Sequence, residues 1–147
     1  MHLRTVFSVA LGGALATTAL ATSALSDEAW LTQFGPLQWE DSRGSMAILN
    51  LFGDDAARPN TYRIFLPLLA DDVDGPRGTY TGYWTAAAGE VPCTLDMIDP
   101  MGTKTRHWGQ FTLTFVGDSF PSDWAGLYGD CFDAPSYRLT GVVLTDF

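Results

Sequence analysis

Within residues 106–115 (RHWGQFTLTF), the stretch 110–115 alternates without a break between polar and apolar side chains. Trp108, Gln110, Thr112 and Thr114 fall on one side of an extended chain. His107, Gly109, Phe111, Leu113 and Phe115 fall on the other. A helix would scatter these groups around its axis, whereas a strand gathers them into two faces. Phe111, Leu113 and Phe115 are therefore expected in a core. Residues 45–52 (SMAILNLF), 62–69 (YRIFLPLL), 79–85 (TYTGYWT), 94–98 and 137–145 are further runs rich in strand formers. Pro67 removes an amide and puts its end of the run at an edge or a bulge. Gly82 marks a bulge or a close approach of backbone.

The connectors carry turn chemistry: Asp54, Asp55, Pro59 and Asn60 in one, Asp99, Pro100 and Gly102 in another, Gly129 and Asp130 in a third. Glycine reaches positive φ, proline presets its own φ, and aspartate bonds the neighbouring backbone. No apolar period of 3.6 persists beyond a turn or two. Residues 27–34 and 122–128 are candidates for short helices, with Ser122 as an N-cap. Six or more short strands between turns specify an all-β domain, a small antiparallel β-barrel or β-sandwich, with closure into a barrel the favoured form.

Ahead of these runs, residues 1–26 show a short basic head (His2, Arg4), an apolar stretch from Val6 to Leu20, and Ala24-Leu25-Ser26 before Asp27. That pattern reads as a secretory signal peptide, too short and too weakly apolar for a membrane span. Residues 27–147 then form a single all-β domain in the periplasm or outside the cell. The leader holds one of the eight Lys and Arg and none of the seventeen Asp and Glu, so its removal takes the net charge from −9 to −10. An acidic, base-poor surface argues against nucleic acid and, for the mature form, against an anionic membrane. Residues 27–147 keep all five Trp, all five Tyr and eight of nine Phe, a composition unlike that of disordered chains.

Two cysteines, Cys93 and Cys131, remain in the exported chain, and an even pair in an oxidising compartment reads as one disulfide. A metal role is disfavoured, because there is no CxxC and His107 is the sole histidine after His2 is removed. The acidic run Asp71-Asp72-Val73-Asp74-Gly75 invites a calcium reading. With Gly75 at the sixth position of an EF-hand loop, however, Ala70 and Thr81 occupy positions that need carboxylates. The run reads as a solvated turn, with a looser calcium loop as its alternative. No cofactor is implied.

Aromatic residues make the main candidate binding set: Tyr80, Tyr83 and Trp84 on one strand, with Trp108, Trp124 and Tyr128 later in the chain. Rings at a barrel mouth bind planar ligands or sugars, although a domain this small also needs its rings as core. His107 joins the set as a hydrogen-bonding group. Nothing around it resembles a nucleophile elbow or an HExxH motif, and no catalytic residue is assigned.

Residues 39–46 (WEDSRGSM), a Trp followed five and six residues later by Gly-Ser, resemble the first strand of the avidins. Residues 78–83 (GTYTGY) are similar to their second strand. The resemblance implies that Ser45 and Tyr80 face a biotin-like ligand, with Asp41 in place of the family's Asn. It covers fourteen of 147 residues and leaves some thirty residues where avidins have a short hairpin, so it reads as a shared hairpin pattern rather than family membership.

The chain is therefore expected to act as a binding module for a small molecule or an envelope protein. The alternatives are a protease-inhibitor-like protein or a hydrolase combining carboxylates with His107, and a structural subunit that assembles through exposed strand edges.

Overall fold

The computed structural model describes residues 28–53, 61–71 and 77–145. The expected signal peptide, and the acidic run beyond Asp71, lie outside the described residues. The strands are β1 (Ala29–Thr32), β2 (Gly35–Arg43), β3 (Met46–Phe52), β4 (Thr61–Leu66), β5 (Thr79–Ala86), β6 (Met97–Ile98), β7 (Lys104–Thr105), β8 (His107–Phe115), β9 (Trp124–Tyr128) and β10 (Tyr137–Val143). Eight of them form one closed antiparallel barrel, in which β5 pairs directly with β8 and β10 returns to β1. β6 and β7 pair only with each other, as a hairpin within the long β5–β8 connection. The barrel alternative is thus the one adopted, with a single disulfide.

Closure rests on Trp30 opposite Val143, Leu31 opposite Val142 and Thr32 opposite Gly141, followed by the Leu144 amide donating to the Ala29 carbonyl at 2.9 Å. The remaining backbone edge of each terminal strand is thereby paired, which an open sheet cannot achieve. Alternation then decides what lies inside. On β8, Phe111, Leu113 and Phe115 are buried inward as expected, while Gln110, Thr112 and Thr114 are more exposed.

Two short segments differ from the helical expectation. Residues 29–32 and 124–128 are strands, because each completes a ladder between neighbours and so pairs its backbone groups across the sheet. Of residues 94–98, only Met97 and Ile98 are strand. β2 is a strand that the charged residues Glu40, Asp41 and Arg43 disguise. Its inward residues, Leu37 and Trp39, are fully buried, and the bulge between Trp39 and Asp41 breaks the alternation. Gly82 is a close-approach point: a Cβ there would collide with the Phe65 carbonyl of β4.

The two ends of the barrel are unlike. At the end where β2 turns into β3, Phe120 wedges between Trp30, Trp39 and Phe115, at ring distances of 6.2, 6.1 and 5.7 Å. The Trp30 indole N–H donates to the Ser122 carbonyl at 2.9 Å and ties that loop across the barrel. A 3-10 turn (Leu69–Asp71) adds the buried Leu69, and the Ala70 amide donates to the Ser45 carbonyl. This end is sealed. Trp124 fills the space above the seal because Gly141 faces it without a side chain; a Cβ there would overlap the indole.

The β5–β8 connection folds down the outside of the barrel. β3 is apolar on both faces, and its outward Ile48 forms a row with Phe65 and Tyr83, which stack at 5.2 Å. Ile48 and Phe65 are fully buried although they point away from the barrel interior. The β6–β7 hairpin lies beside this row. Asp99 Oδ1 accepts the amides of Met101 and Thr103 to build the hairpin turn, and Arg43 donates to the Pro100 carbonyl. Trp108 is also outward-facing yet buried, with its N–H donating to the Leu95 carbonyl and its ring against Phe132.

Cys93 and Cys131 form the expected disulfide, with Cα atoms 5.6 Å apart and a sequence separation of 38. It joins the β5–β8 connection to the β9–β10 loop. The chain-entropy model assigns such a loop about 4 kcal/mol. Cys93→Ala is expected to lower stability by about 2–4 kcal/mol in chemical denaturation, and an unchanged midpoint would contradict this. Leu113→Ala, which opens a cavity inside the barrel, is expected to cost about 2–5 kcal/mol; a cost under about half a kcal/mol would mean that the inward face of β8 is misassigned.

Candidate functional site

The other end of the barrel is open. A cavity of about 480 Å³ enters it, within the range of small-molecule sites. Its inner wall comes from inward positions of five strands: Leu51, Tyr62 and Ile64, Trp84, Phe111 and Leu139. The rim comes from the loops at this end. Phe34 and Gln33 belong to the β1–β2 turn, residues 88–91 to the chain leaving β5, and Asp130 to the β9–β10 loop.

Each wall residue is held by something specific. The Trp84 indole donates to the Gly129 carbonyl at 3.0 Å, across Gly109. A Cβ at Gly109 would stand 2.6 Å from the indole nitrogen and collide with the Gly129 carbonyl, so only glycine permits this bond. Tyr62 meets Trp84 edge to face at 5.8 Å, and Phe34 meets Tyr128 similarly at 6.3 Å. Gln33 locks the β1–β2 turn onto β10: its Nε2 donates to the Arg138 carbonyl and its Oε1 accepts the Thr140 amide. His107 heads β8 with its ring packed beneath Gly89, where a Cβ would come within 2.8 Å of Nδ1.

Polar groups among the lining are few: the phenols of Tyr62 and Tyr128, His107, Gln33, and the carboxylates of Glu90 and Asp130. Burial pushes the Tyr128 phenol up from its ordinary value of 10.0, and the charges of Asp130, Tyr137 and Tyr62 push in the same direction. Among the described residues, the lining contains no Ser, Thr or Cys to serve as a nucleophile, and no Lys or Arg. Among the described residues, no three His, Cys, Asp or Glu converge to hold a metal ion.

Of the residues singled out from the sequence, Trp84 and His107 line this cavity, and so does Tyr128. The others stand elsewhere. Tyr80 packs against Phe115 at the sealed end, and its hydroxyl accepts the Arg77 amide. Tyr83 and Trp108 lie on the outside of the barrel beside the β5–β8 connection. Trp124 sits below Phe111, 6.2 Å between rings. The avidin-like residues 39–46 span the β2–β3 turn rather than the first strand, so Ser45 and Tyr80 belong to the sealed end, away from the cavity.

Tyr62, Ile64, Phe34, Asp130 and Glu90 were not singled out as site residues. Strand period would have paired Tyr62 with Ile64 on one face, but which face meets a cavity depends on how the barrel is filled. The loop residues carry no signal of their own. Compared with known proteins, the chain matches no family model, no curated protein and no solved structure to a significant degree.

Because Tyr128 holds its proton more tightly folded than unfolded, the stability linked to it is complete below about pH 10 and is lost as pH rises through its raised pKa. Ultraviolet titration is expected to show Tyr128 ionising later than an unperturbed tyrosine, and Tyr128→Phe is expected to remove that late component. Loss of an early component instead would contradict the placement of this phenol.

Proposed function

We propose that this protein is an exported binding module that takes up a small, largely apolar ligand in the open end of its barrel. One observation carries the reading: the two ends of the barrel are built differently. One is plugged by Phe120, Trp30 and Trp39, while the other keeps a ring-lined space of about 480 Å³. Side chains of Trp, Phe or Leu size could have filled that space, as they fill the lower half. Rings bury large contact area at little entropic cost, and phenols add polar tips that orient a ligand.

An enzymatic reading has less support: Glu90 and Asp130 line the cavity with His107, but among the described lining residues no Ser, Thr, Cys or Lys stands with them and no His107–carboxylate hydrogen bond orients the ring. The leader pattern of residues 1–26 and the disulfide both suit an oxidising compartment. The periplasm or the exterior is therefore the proposed site of action.

Calorimetry with a panel of neutral aromatic probes, naphthylmethanol among them, tests the binding site. One-to-one binding is expected, weakened about tenfold by Tyr62→Ala, which removes a ring from the wall. Leu127→Ala, on the outer face of β9, is expected to leave affinity unchanged. Absence of binding across the panel, or equal loss in both variants, would overturn the proposal.

A further inference from the structure

Below the rim, the cavity wall carries three polar groups among the described residues: the Trp84 indole N–H and the phenols of Tyr62 and Tyr128. The indole N–H is already donated to the Gly129 carbonyl. The two phenols are what the wall offers a ligand. They reach the space from β4 and β9, strands that β5 and β8 separate in the barrel order, so they approach it from different walls. The charge of Tyr62 nevertheless acts on Tyr128, which places the two phenols near one another. Both rings are fixed by packing. Tyr62 meets Trp84 at 5.8 Å, and Tyr128 packs against Phe34 at 6.3 Å and Tyr137 at 5.3 Å. Rings already held in place need little further ordering when a ligand arrives. The rest of the wall, with Ile64, Phe111 and Leu139, is apolar.

We propose that the ligand is an apolar compound bearing a carbonyl-type acceptor, as in a ketone or a lactone, whose oxygen accepts hydrogen bonds from both Tyr62 and Tyr128. This rests on the binding reading above and narrows it. A phenol donates well and accepts poorly, because the ring draws on its oxygen lone pairs. A carbonyl oxygen has two lone pairs and so can accept from both hydroxyls at once. The apolar body then rests against Ile64, Phe111 and Leu139. Burial keeps the Tyr128 phenol protonated, and therefore a donor, throughout the neutral range. A hydrocarbon of the same shape would strip water from both phenols and return no hydrogen bond, a loss that counts against it.

Two probes of one shape separate the claims: acetylnaphthalene, which has the carbonyl, and isopropenylnaphthalene, which has a methylene in its place. Each is titrated into the full oxidised protein. The ketone is expected to bind about fivefold more tightly, although the hydrocarbon is the more apolar of the two. Tyr62→Phe and Tyr128→Phe keep the rings and remove the hydroxyls. Each is expected to reduce the ratio of ketone to hydrocarbon affinity, and the double variant to bring it to about one or below. Hydrocarbon binding checks that the cavity survives the substitutions. In the unmodified protein, the infrared stretch of the bound ketone, isotope-labelled at its carbonyl, is expected at the low frequency of a hydrogen-bonded carbonyl. That readout needs no variant, so it decides the matter even where the double variant loses the cavity. Equal or weaker binding of the ketone, an unaltered ratio in the double variant, or a bound carbonyl that absorbs as it does in a hydrocarbon solvent would each overturn this inference while leaving the cavity as a binding site. Failure of both probes and of naphthylmethanol to bind would overturn the inference and the binding reading together.

Discussion

The antiparallel contact between residues 30–32 and 141–143 is the interaction on which the remainder of the molecule depends. Without it the eight strands are a meander with two open edges. With it they enclose an interior whose width is set by strand number rather than by the side chains inside. A barrel of this size has to be filled, and this chain fills only half of it. Trp30, Trp39, Trp124, Phe115 and Phe120 pack the end near the β2–β3 turn, and two glycines do the complementary work. Gly141 leaves room for the Trp124 indole, and Gly109 lets Trp84 lean onto the Gly129 carbonyl. The open end follows from where the large residues stop.

The outer layer couples stability to the mouth. Residues 87–106 leave the rim, run down the outer face past Tyr83 and return at β8, so Ile48, Phe65 and Trp108 are buried outside the barrel proper. The disulfide pins this excursion to the β9–β10 loop just where both contribute rim residues. The Cys131 amide donates to the Trp108 carbonyl and the Cys93 amide to the Arg106 carbonyl, which continues the anchoring along the backbone. Fold stability and the shape of the binding end therefore share one covalent brace. Reduction would loosen the rim before it loosened the sealed end.

Much of this was legible in the chain. Alternation in residues 106–115 identified the inward face of β8, and the run of strand formers at 45–52 marked the strand that is β3. The cysteine pairing followed from compartment and number. β1 and β9 were hidden because four or five residues are too few to show a period, and their conformation is fixed by ladder partners distant in sequence. Tyr80 and Trp84 share a strand face, as read, yet lie at opposite ends of the barrel. Strand direction separates them by four residues of rise, and nothing local indicates which end is plugged. Tyr83 and Trp108 were drawn outward by alternation and then covered by a connection whose path the sequence does not announce. The candidate site was thus half visible: the residue types were apparent, but the filling of the barrel selected among them.

Fluorine NMR of protein labelled with fluorotryptophan tests the central claim most directly, because the five tryptophans sample the barrel from plug to mouth. On addition of a bound aromatic probe, the Trp84 resonance should shift strongly while those of Trp30 and Trp39 stay in place. A probe that moved Trp30 and Trp39 and left Trp84 unaffected would show that the plugged end is the one that opens, and would contradict this account.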